Sequence, residues 1–197
     1  MSDSDIKWAR CKLSQLDPDQ KFTTMLMTAA ILTKLLEVEQ IRPIIVGGFS
    51  IEIYTDEDYS TRDIDLVTYE PNKIASVLKR LDFKKEGRHL VHDRLEVEVE
   101  FPDDKLAGSY EKVNKIIVDE SEGLYVYVIS YEDIIMDRLR AYLHWNEDFS
   151  KELGMQILAL HIDKVDKKYM IEIGQGAETE EESIEIIKWF DEIAEMI

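Results

Sequence analysis

Residues 43–70, PIIVGGFSIEIYTDEDYSTRDIDLVTYE, place a glycine pair after one apolar run and two aspartates inside the next. The segment RPIIVGG, residues 42–48, is typical of a short buried strand that stops at glycine. The segment DIDLVTYE, residues 63–70, is predicted to form another strand that ends before Pro71. Aspartate is depleted in strands, so two aspartates flanked by Ile and Leu require an explanation.

The two aspartates are predicted to share one face of their strand. Asp63 and Asp65 are two positions apart, so their side chains project side by side, while Ile64 and Leu66 point to the core. Two carboxylates this close repel, and one is expected to take up a proton unless a cation compensates. Mg²⁺ suits this position, because it takes a few carboxylate oxygens and completes its octahedron with water and phosphate oxygens.

A second acidic pattern lies in LEVEVEF, residues 95–101. As one strand, this segment would put Glu96, Glu98 and Glu100 on one face and its apolar side chains on the other. If this strand neighbours the Asp63 strand, the carboxylates converge on one patch that could hold one or two metals for in-line phosphoryl or nucleotidyl transfer. The alternative is the solvent-exposed face of an antiparallel sheet, which shows the same alternation.

The glycine pair indicates a place where a ligand approaches the backbone. Gly47 and Gly48 leave N–H groups open to phosphate oxygens, and Ser50 can add a hydroxyl. The following FSIEIY segment can open a helix whose N-terminus favours an anion. A tight turn without any ligand explains the same pair, so the glycines alone do not establish a phosphate-binding site.

Taken together, these motifs resemble the polymerase-β-type nucleotidyltransferase superfamily. The resemblance rests on GGFS at residues 47–50, Asp-Ile-Asp starting fifteen positions after Gly48, and an acidic strand later in the chain. It extends more loosely to about residue 160, through a Ser-x-Glu-Asp helix start at residues 130–133 similar to that of small bacterial and archaeal nucleotidyltransferase-like proteins, and the abortive-infection type toxins of the same superfamily are a related comparison. The implied fold is α+β, a nucleotidyltransferase-like mixed sheet flanked by helices and followed by a C-terminal helical subdomain.

The resemblance also implies which residues hold the nucleotide. Gly47, Gly48 and Ser50 would bind the triphosphate of a nucleotide such as ATP, with Arg62 as an additional cation. The chain departs from the family pattern after the glycines, where many members carry a basic residue and this one has the acidic segment IEIYTDEDY. Lys73 is a further available cation.

The catalytic and metal-binding set follows from the same resemblance. Asp63 and Asp65 would bind Mg²⁺ or Mn²⁺. Glu98 would be the third carboxylate, either activating the acceptor hydroxyl or completing a second metal site, with Glu100 as the alternative. His89 and His92 lie three positions apart and so on opposite faces of a strand, which argues against a two-histidine metal site.

The order of predicted elements divides the chain near residue 130. Residues 1–129 are predicted to form an α/β core with an N-terminal helix that begins at an Asp17 cap. Residues 84–104 are expected to form one hairpin, with residues 95–101 as its second arm. Residues 130–197 are predicted to form a helical subdomain, in which Ser130 caps the first helix and Thr179 the last. Trp189 and Phe190 are expected in the core, with a dimer face as the alternative.

Composition narrows the class of protein and its partners. The chain has 197 residues, a net charge of −18 and a single cysteine, Cys11. The charge argues against extended nucleic-acid binding, which needs clustered Lys and Arg. No segment approaches the roughly 20 apolar residues of a membrane span, and one cysteine is compatible with a reducing compartment, so a cytoplasmic location without membrane contact is predicted. A homodimer is left open.

These features predict a metal-dependent nucleotidyltransferase that moves a nucleoside monophosphate from a triphosphate to a hydroxyl and releases pyrophosphate. The acceptor could be a small molecule, a protein side chain or an RNA end. The alternative is a catalytically inactive nucleotide-binding protein or a toxin–antitoxin regulator with the same fold. A structural module without a ligand would leave the acidic face unexplained.

Overall fold

The computed structural model describes residues 1–57, 59–176 and 180–196. They form two compact units, one comprising Met1–Ser50 and Ser60–Ile129, the other Ile51–Tyr59 and Ser130–Ile197. The helices are α1 Asp3–Ser14, α2 Lys21–Glu37, α3 Gly47–Tyr54, α4 Pro71–Arg80, α5 Tyr131–Trp145, α6 Asp148–Leu160, α7 Lys167–Gln175 and α8 Glu181–Met196. The strands are β1 Ile44–Val46, β2 Asp63–Val67, β3 Lys84–Glu86, β4 His89–His92, β5 Val97–Glu100, β6 Asn114–Asp119 and β7 Leu124–Val128.

The first unit is built on one seven-stranded sheet with the order β3-β4-β5-β2-β1-β7-β6. Strand β2 runs antiparallel to β1 and parallel to β5, and β1 runs parallel to β7. Helix α2 packs on β7, and α4 packs on β4. The mixed sheet flanked by helices confirms the predicted fold class and makes the two acidic strands direct neighbours.

Two local expectations for the acidic region need correction. Residues 84–101 form three antiparallel strands, β3, β4 and β5, rather than one hairpin. Strand β5 begins only at Val97, and Glu96 lies in the preceding turn with a φ of 53°. A left-handed residue interrupts the extended alternation, so Glu96 does not continue the face of Glu98 and Glu100.

The N-terminal region also differs from the sequence prediction. Helix α1 is capped by Ser2, whose hydroxyl and backbone N–H exchange hydrogen bonds with Asp5 in a capping box. Helix α2 begins at Lys21 after Gln20, not at Asp17. Asp17 opens a turn instead, because its carbonyl accepts hydrogen bonds from the Gln20 N–H and the Thr24 hydroxyl.

The second unit contains α5, α6, α7 and α8. Ser130 caps α5 as predicted, because its hydroxyl accepts a hydrogen bond from the Asp133 N–H at 3.0 Å. Helix α7 was not predicted from the sequence, and Thr179 lies outside the described residues. Trp189 is fully buried and Phe190 nearly so, which confirms their core placement. None of the helices in the described residues is long and apolar enough to cross a membrane.

Replacing Gly154 with alanine is expected to destabilise the protein by about 1–2 kcal/mol, although alanine is the better helix former. A Cβ at this α6 position would lie 2.6 Å from Cζ3 of the buried Trp189 ring and 3.2 Å from the Arg138 Cβ. Chemical denaturation measures the change. Gly176→Ala is the control, since a Cβ there meets nothing closer than 3.5 Å, and a similar loss in both variants would contradict the packing explanation.

Candidate functional site

The register of β2 against β5 brings four carboxylates together. Asp63 is paired with Glu98, and Asp65 with Glu100, in two neighbouring parallel strands. Ile64 is 1% exposed on the opposite, core-facing side of β2. Asp63 and Asp65 therefore share one face of β2, as predicted. Because β2 and β5 are neighbours in the sheet, the aspartates and glutamates converge.

Gly47 lies against one of these carboxylates. It follows β1 as the first residue of α3 and has a left-handed conformation with a φ of 58°, which L side chains rarely adopt. Val46, the residue before it, is paired with Asp65 across the β1–β2 ladder. A Cβ added to Gly47 would overlap Asp65 Oδ2 and lie 3.1 Å from Asp65 Cγ. The glycine thus serves both the backbone turn and the close packing of the Asp65 carboxylate.

The other predicted nucleotide-binding residues surround this turn. Gly48 is the second residue of α3, so its backbone belongs to the first turn of that helix. Ser50 is fully buried, and its hydroxyl donates to the Gly47 carbonyl at 2.7 Å. Arg62 is exposed directly before β2. The neighbouring Thr61 hydroxyl donates to Asp63 Oδ1 at 3.2 Å, which helps to orient that carboxylate.

Two basic residues that sequence reasoning did not place in the site contact the acidic strand. His89 Nδ1 lies 3.4 Å from Glu98 Oε2, and its Nε2 lies 3.4 Å from Glu100 Oε2. Arg88, in the β3–β4 turn, brings its Nε to 2.7 Å from Glu100 Oε2. The sequence alone gives no signal for this placement, because it depends on the antiparallel pairing of β4 with β5.

The described residues include one group of side chains with metal-ligand spacing. Asp63, His89 and Glu100 each offer a ligand atom, and these atoms all lie within 4.8 Å of one another. Glu98 is not part of that group. Its side chain is 42% exposed, whereas that of Glu100 is 11% exposed. Within the parts of the chain that the structure describes, Glu100 is thus the more enclosed of the two candidate third carboxylates.

The electrostatics of the site point to an excess of negative charge. Burial, together with repulsion from Asp63 and Glu100, raises the pKa of the Asp65 carboxyl to about 7, although Arg88 opposes this shift. A hydrogen bond with Glu100 acts in the same direction as burial. The carboxylate cluster therefore lacks sufficient positive charge to keep Asp65 fully ionised at neutral pH, and a bound cation would relieve this excess of negative charge.

Asp65→Asn is expected to be more stable than wild type at pH 7.5 in the absence of metal, and this advantage should be absent at pH 4. Because the folded state holds the Asp65 proton more tightly than the unfolded chain, wild type loses stability as pH rises from about 4 to about 7. The asparagine amide does not titrate, so the variant avoids this loss. At pH 7.5 its free energy of unfolding should exceed that of wild type by on the order of 1 kcal/mol, after allowing for partial exposure of the carboxylate. Urea denaturation in EDTA across this pH range measures it.

Asp103→Asn is the opposite-sign control for this experiment. Hydrogen bonds from the backbone N–H groups of Lys105 and Asp104 lower the pKa of Asp103, so its ionised form stabilises the folded state above pH 4. The asparagine variant should lose stability relative to wild type as pH rises. A stability difference for Asp65→Asn that stays constant from pH 4 to 7.5 would contradict the charge excess at the site.

Comparison with known proteins identifies the family. No curated protein matches the chain. Among solved structures, the solution structure of the antibiotic-resistance factor ANT(2'')-Ia covers 74% of this chain and 93% of its own, with 12% identity and a TM-score of 0.41, a likeness too distant to bear on function. Residues 23–195 match the family described as "Nucleotidyltransferase of unknown function (DUF6036)", which confirms the resemblance to nucleotidyltransferases. The chain therefore belongs to this nucleotidyltransferase family.

Proposed function

We propose that the protein transfers a nucleoside monophosphate from a nucleoside triphosphate to a hydroxyl acceptor in a reaction that depends on a divalent metal. The acceptor oxygen forms a bond to the α-phosphorus, the bond from that phosphorus to pyrophosphate breaks, and the hydroxyl proton passes to a carboxylate. The observation that carries this proposal is the convergence of Asp63, Asp65 and Glu100 beside the Gly47 turn.

The residues of the cluster fit a divalent metal. Burial and mutual repulsion raise the pKa of Asp65, and Glu100 Oε2 is buried without a hydrogen bond although it lies near Arg88 and His89. Oxygen ligands suit Mg²⁺ and Mn²⁺, and a histidine nitrogen would favour Mn²⁺. Asp63, Asp65 and Glu100 would hold the metal, which when bound supplies charge neutralisation for the triphosphate and its pyrophosphate leaving group.

The third carboxylate is proposed to be Glu100, with Glu98 as the alternative. Glu100 pairs with Asp65 across the strands and lies in the group with Asp63 and His89. An enclosed carboxylate can accept the proton of an acceptor hydroxyl more effectively than one that water solvates. His89 contacts both glutamates and would hold them in position.

The triphosphate is proposed to lie at the start of α3. Backbone N–H groups at Gly47 and Gly48 would donate to phosphate oxygens, as the first turn of a helix does for anions. The Ser50 hydroxyl already donates to the Gly47 carbonyl, so we propose that it acts by supporting the turn. Arg62 is exposed next to Asp63 and is the proposed cationic contact.

The alternative function is nucleotide binding without turnover, as in a regulator or one partner of a toxin–antitoxin pair. It is supported by the acidic character of residues 51–57, which follow the glycine pair where a basic residue would help to hold a triphosphate. Arg88 also places its Nε 2.7 Å from Oε2 of Glu100, the proposed third carboxylate. Stable binding with no label transfer to any acceptor would favour this alternative.

The experiment that tests the proposal follows the α-phosphate. The protein is incubated with each α-³²P-labelled ribonucleoside triphosphate, Mg²⁺ or Mn²⁺, and separate acceptor pools of metabolites, proteins and RNA. We expect label in one pool, pyrophosphate release, and loss of both in Asp63→Asn/Asp65→Asn. Transfer that survives in this double variant would contradict the proposal.

Three further properties remain predictions: the chemical nature of the acceptor, the formation of a homodimer and a cytoplasmic location.

A further inference from the structure

A cavity of about 260 Å³ lies between α4 and the β3–β4 hairpin of the first unit. Its lining includes three cations, Lys79, Lys85 and Arg88, and no acidic residue. The chain carries 42 acidic against 24 basic side chains, so its composition does not predict a cavity whose charged lining is entirely positive. Within the part of the chain that the structure describes, neither Lys79 nor Lys85 forms an ion pair.

The remaining lining suits a small phosphorylated molecule. Asn72 and Ser76, both on α4, add an amide and a hydroxyl that can donate hydrogen bonds. Leu90 and Phe101 contribute an apolar wall. Cationic donors, neutral donors and an apolar surface in one small cavity are the combination that recognises the phosphate and the carbon skeleton of a phosphate monoester.

The cavity is separate from the carboxylate cluster but shares one residue with it. His89 contacts the glutamates, and Leu90, the next residue of β4, points to the other face of the sheet and lines the cavity. Arg88 belongs to both places, because it lines the cavity while its Nε lies 2.7 Å from Glu100 Oε2. An anion in the cavity would compete with Glu100 for this guanidinium.

We propose that this cavity binds the phosphate group of a phosphorylated small molecule, at a site distinct from that of the nucleoside triphosphate. Lys79 and Lys85 neutralise the phosphate, and Arg88 turns from Glu100 towards it. Occupation of the cavity thereby releases Glu100 from its cationic partner. The inference does not require the protein to be an active transferase, since it concerns binding to the metal-free and nucleotide-free chain.

Phosphate titration followed by ¹H–¹⁵N NMR tests the proposal. Inorganic phosphate is added to the ¹⁵N-labelled protein in EDTA at constant ionic strength, with chloride as the balancing anion. We expect saturable shifts of the backbone amides at residues 72–79 and 85–90, and about tenfold weaker binding to Lys79→Gln/Lys85→Gln.

Lys73→Gln/Lys84→Gln is the matched control. It removes the same charge from the same helix and strand, but Lys73 pairs with Glu39 and Lys84 with Asp93, outside the cavity. This variant should keep the wild-type phosphate affinity, and the spectra show whether each variant is folded. Shifts confined to residues 47–50, shifts that do not saturate, or equal weakening in both variants would overturn the proposal.

Discussion

Glu100→Gln is expected to lower nucleotidyl transfer by about 100-fold or more, whereas Glu98→Gln is expected to change it only a few-fold. Both glutamates lie on β5 next to an aspartate of β2. Only Glu100 belongs to the group with Asp63 and His89, and its side chain is much less exposed than that of Glu98. A carboxylate that takes the acceptor proton or holds metal should therefore be Glu100.

The two variants control for each other, since each removes one negative charge from the same strand. Initial rates of label transfer at saturating triphosphate and metal give the comparison, and melting temperatures show whether both proteins are folded. A larger loss in Glu98→Gln than in Glu100→Gln would contradict the assignment and restore Glu98 as the third carboxylate. Equal small losses would mean that neither glutamate acts in transfer.

Gly47→Ala is expected to destabilise the protein and also weaken its response to divalent metal. The left-handed φ costs alanine about 1–2 kcal/mol, and the new Cβ overlaps the Asp65 carboxylate. We expect a total loss of about 2–3 kcal/mol, measured by urea denaturation. Because the Asp65 carboxylate must move away, the stabilisation that metal and triphosphate give should also fall.

Gly87→Ala separates the two causes of this loss. Gly87 has a φ of 59°, but a Cβ there has nothing within 4 Å, so its replacement measures the backbone cost alone. In a double-mutant cycle, Gly47→Ala combined with Asp65→Ala should destabilise less than the sum of the two single changes. Additive effects, or equal losses for Gly47→Ala and Gly87→Ala, would contradict a close contact between Gly47 and Asp65.

Features that depend on neighbouring residues in the chain could be predicted from the sequence. The position of Asp63 and Asp65 on one strand face follows from two-residue periodicity, and the strand–glycine–helix order around Gly47 follows from local propensity. The mixed α/β class and the nucleotidyltransferase family were also predictable, because the glycine pair and Asp-x-Asp lie at a recognisable spacing. The family match and the sheet confirm them.

Features that depend on pairing between distant segments could not be predicted. The proposal of Glu100 rather than Glu98 as the third carboxylate depends on the register of β5 against β2 and on burial, neither of which the alternating pattern of residues 95–101 contains. The contacts of His89 with the glutamates depend on the antiparallel pairing of β4 with β5, which the spacing of His89 and His92 does not contain. The contacts of Gly47 with Asp65 and of Arg88 with Glu100 likewise arise from tertiary structure.

The most direct test of the proposed metal and nucleotide site is thermal unfolding with each of the four ribonucleoside triphosphates, with and without Mg²⁺ or Mn²⁺. A ligand that binds only the folded state raises the melting temperature. We predict that at least one triphosphate stabilises wild type only when metal is present, and that Asp63→Asn/Asp65→Asn unfolds cooperatively but loses this shift. No shift in wild type, or the same shift in the double variant, would contradict the assignment of these aspartates to a nucleotide–metal site.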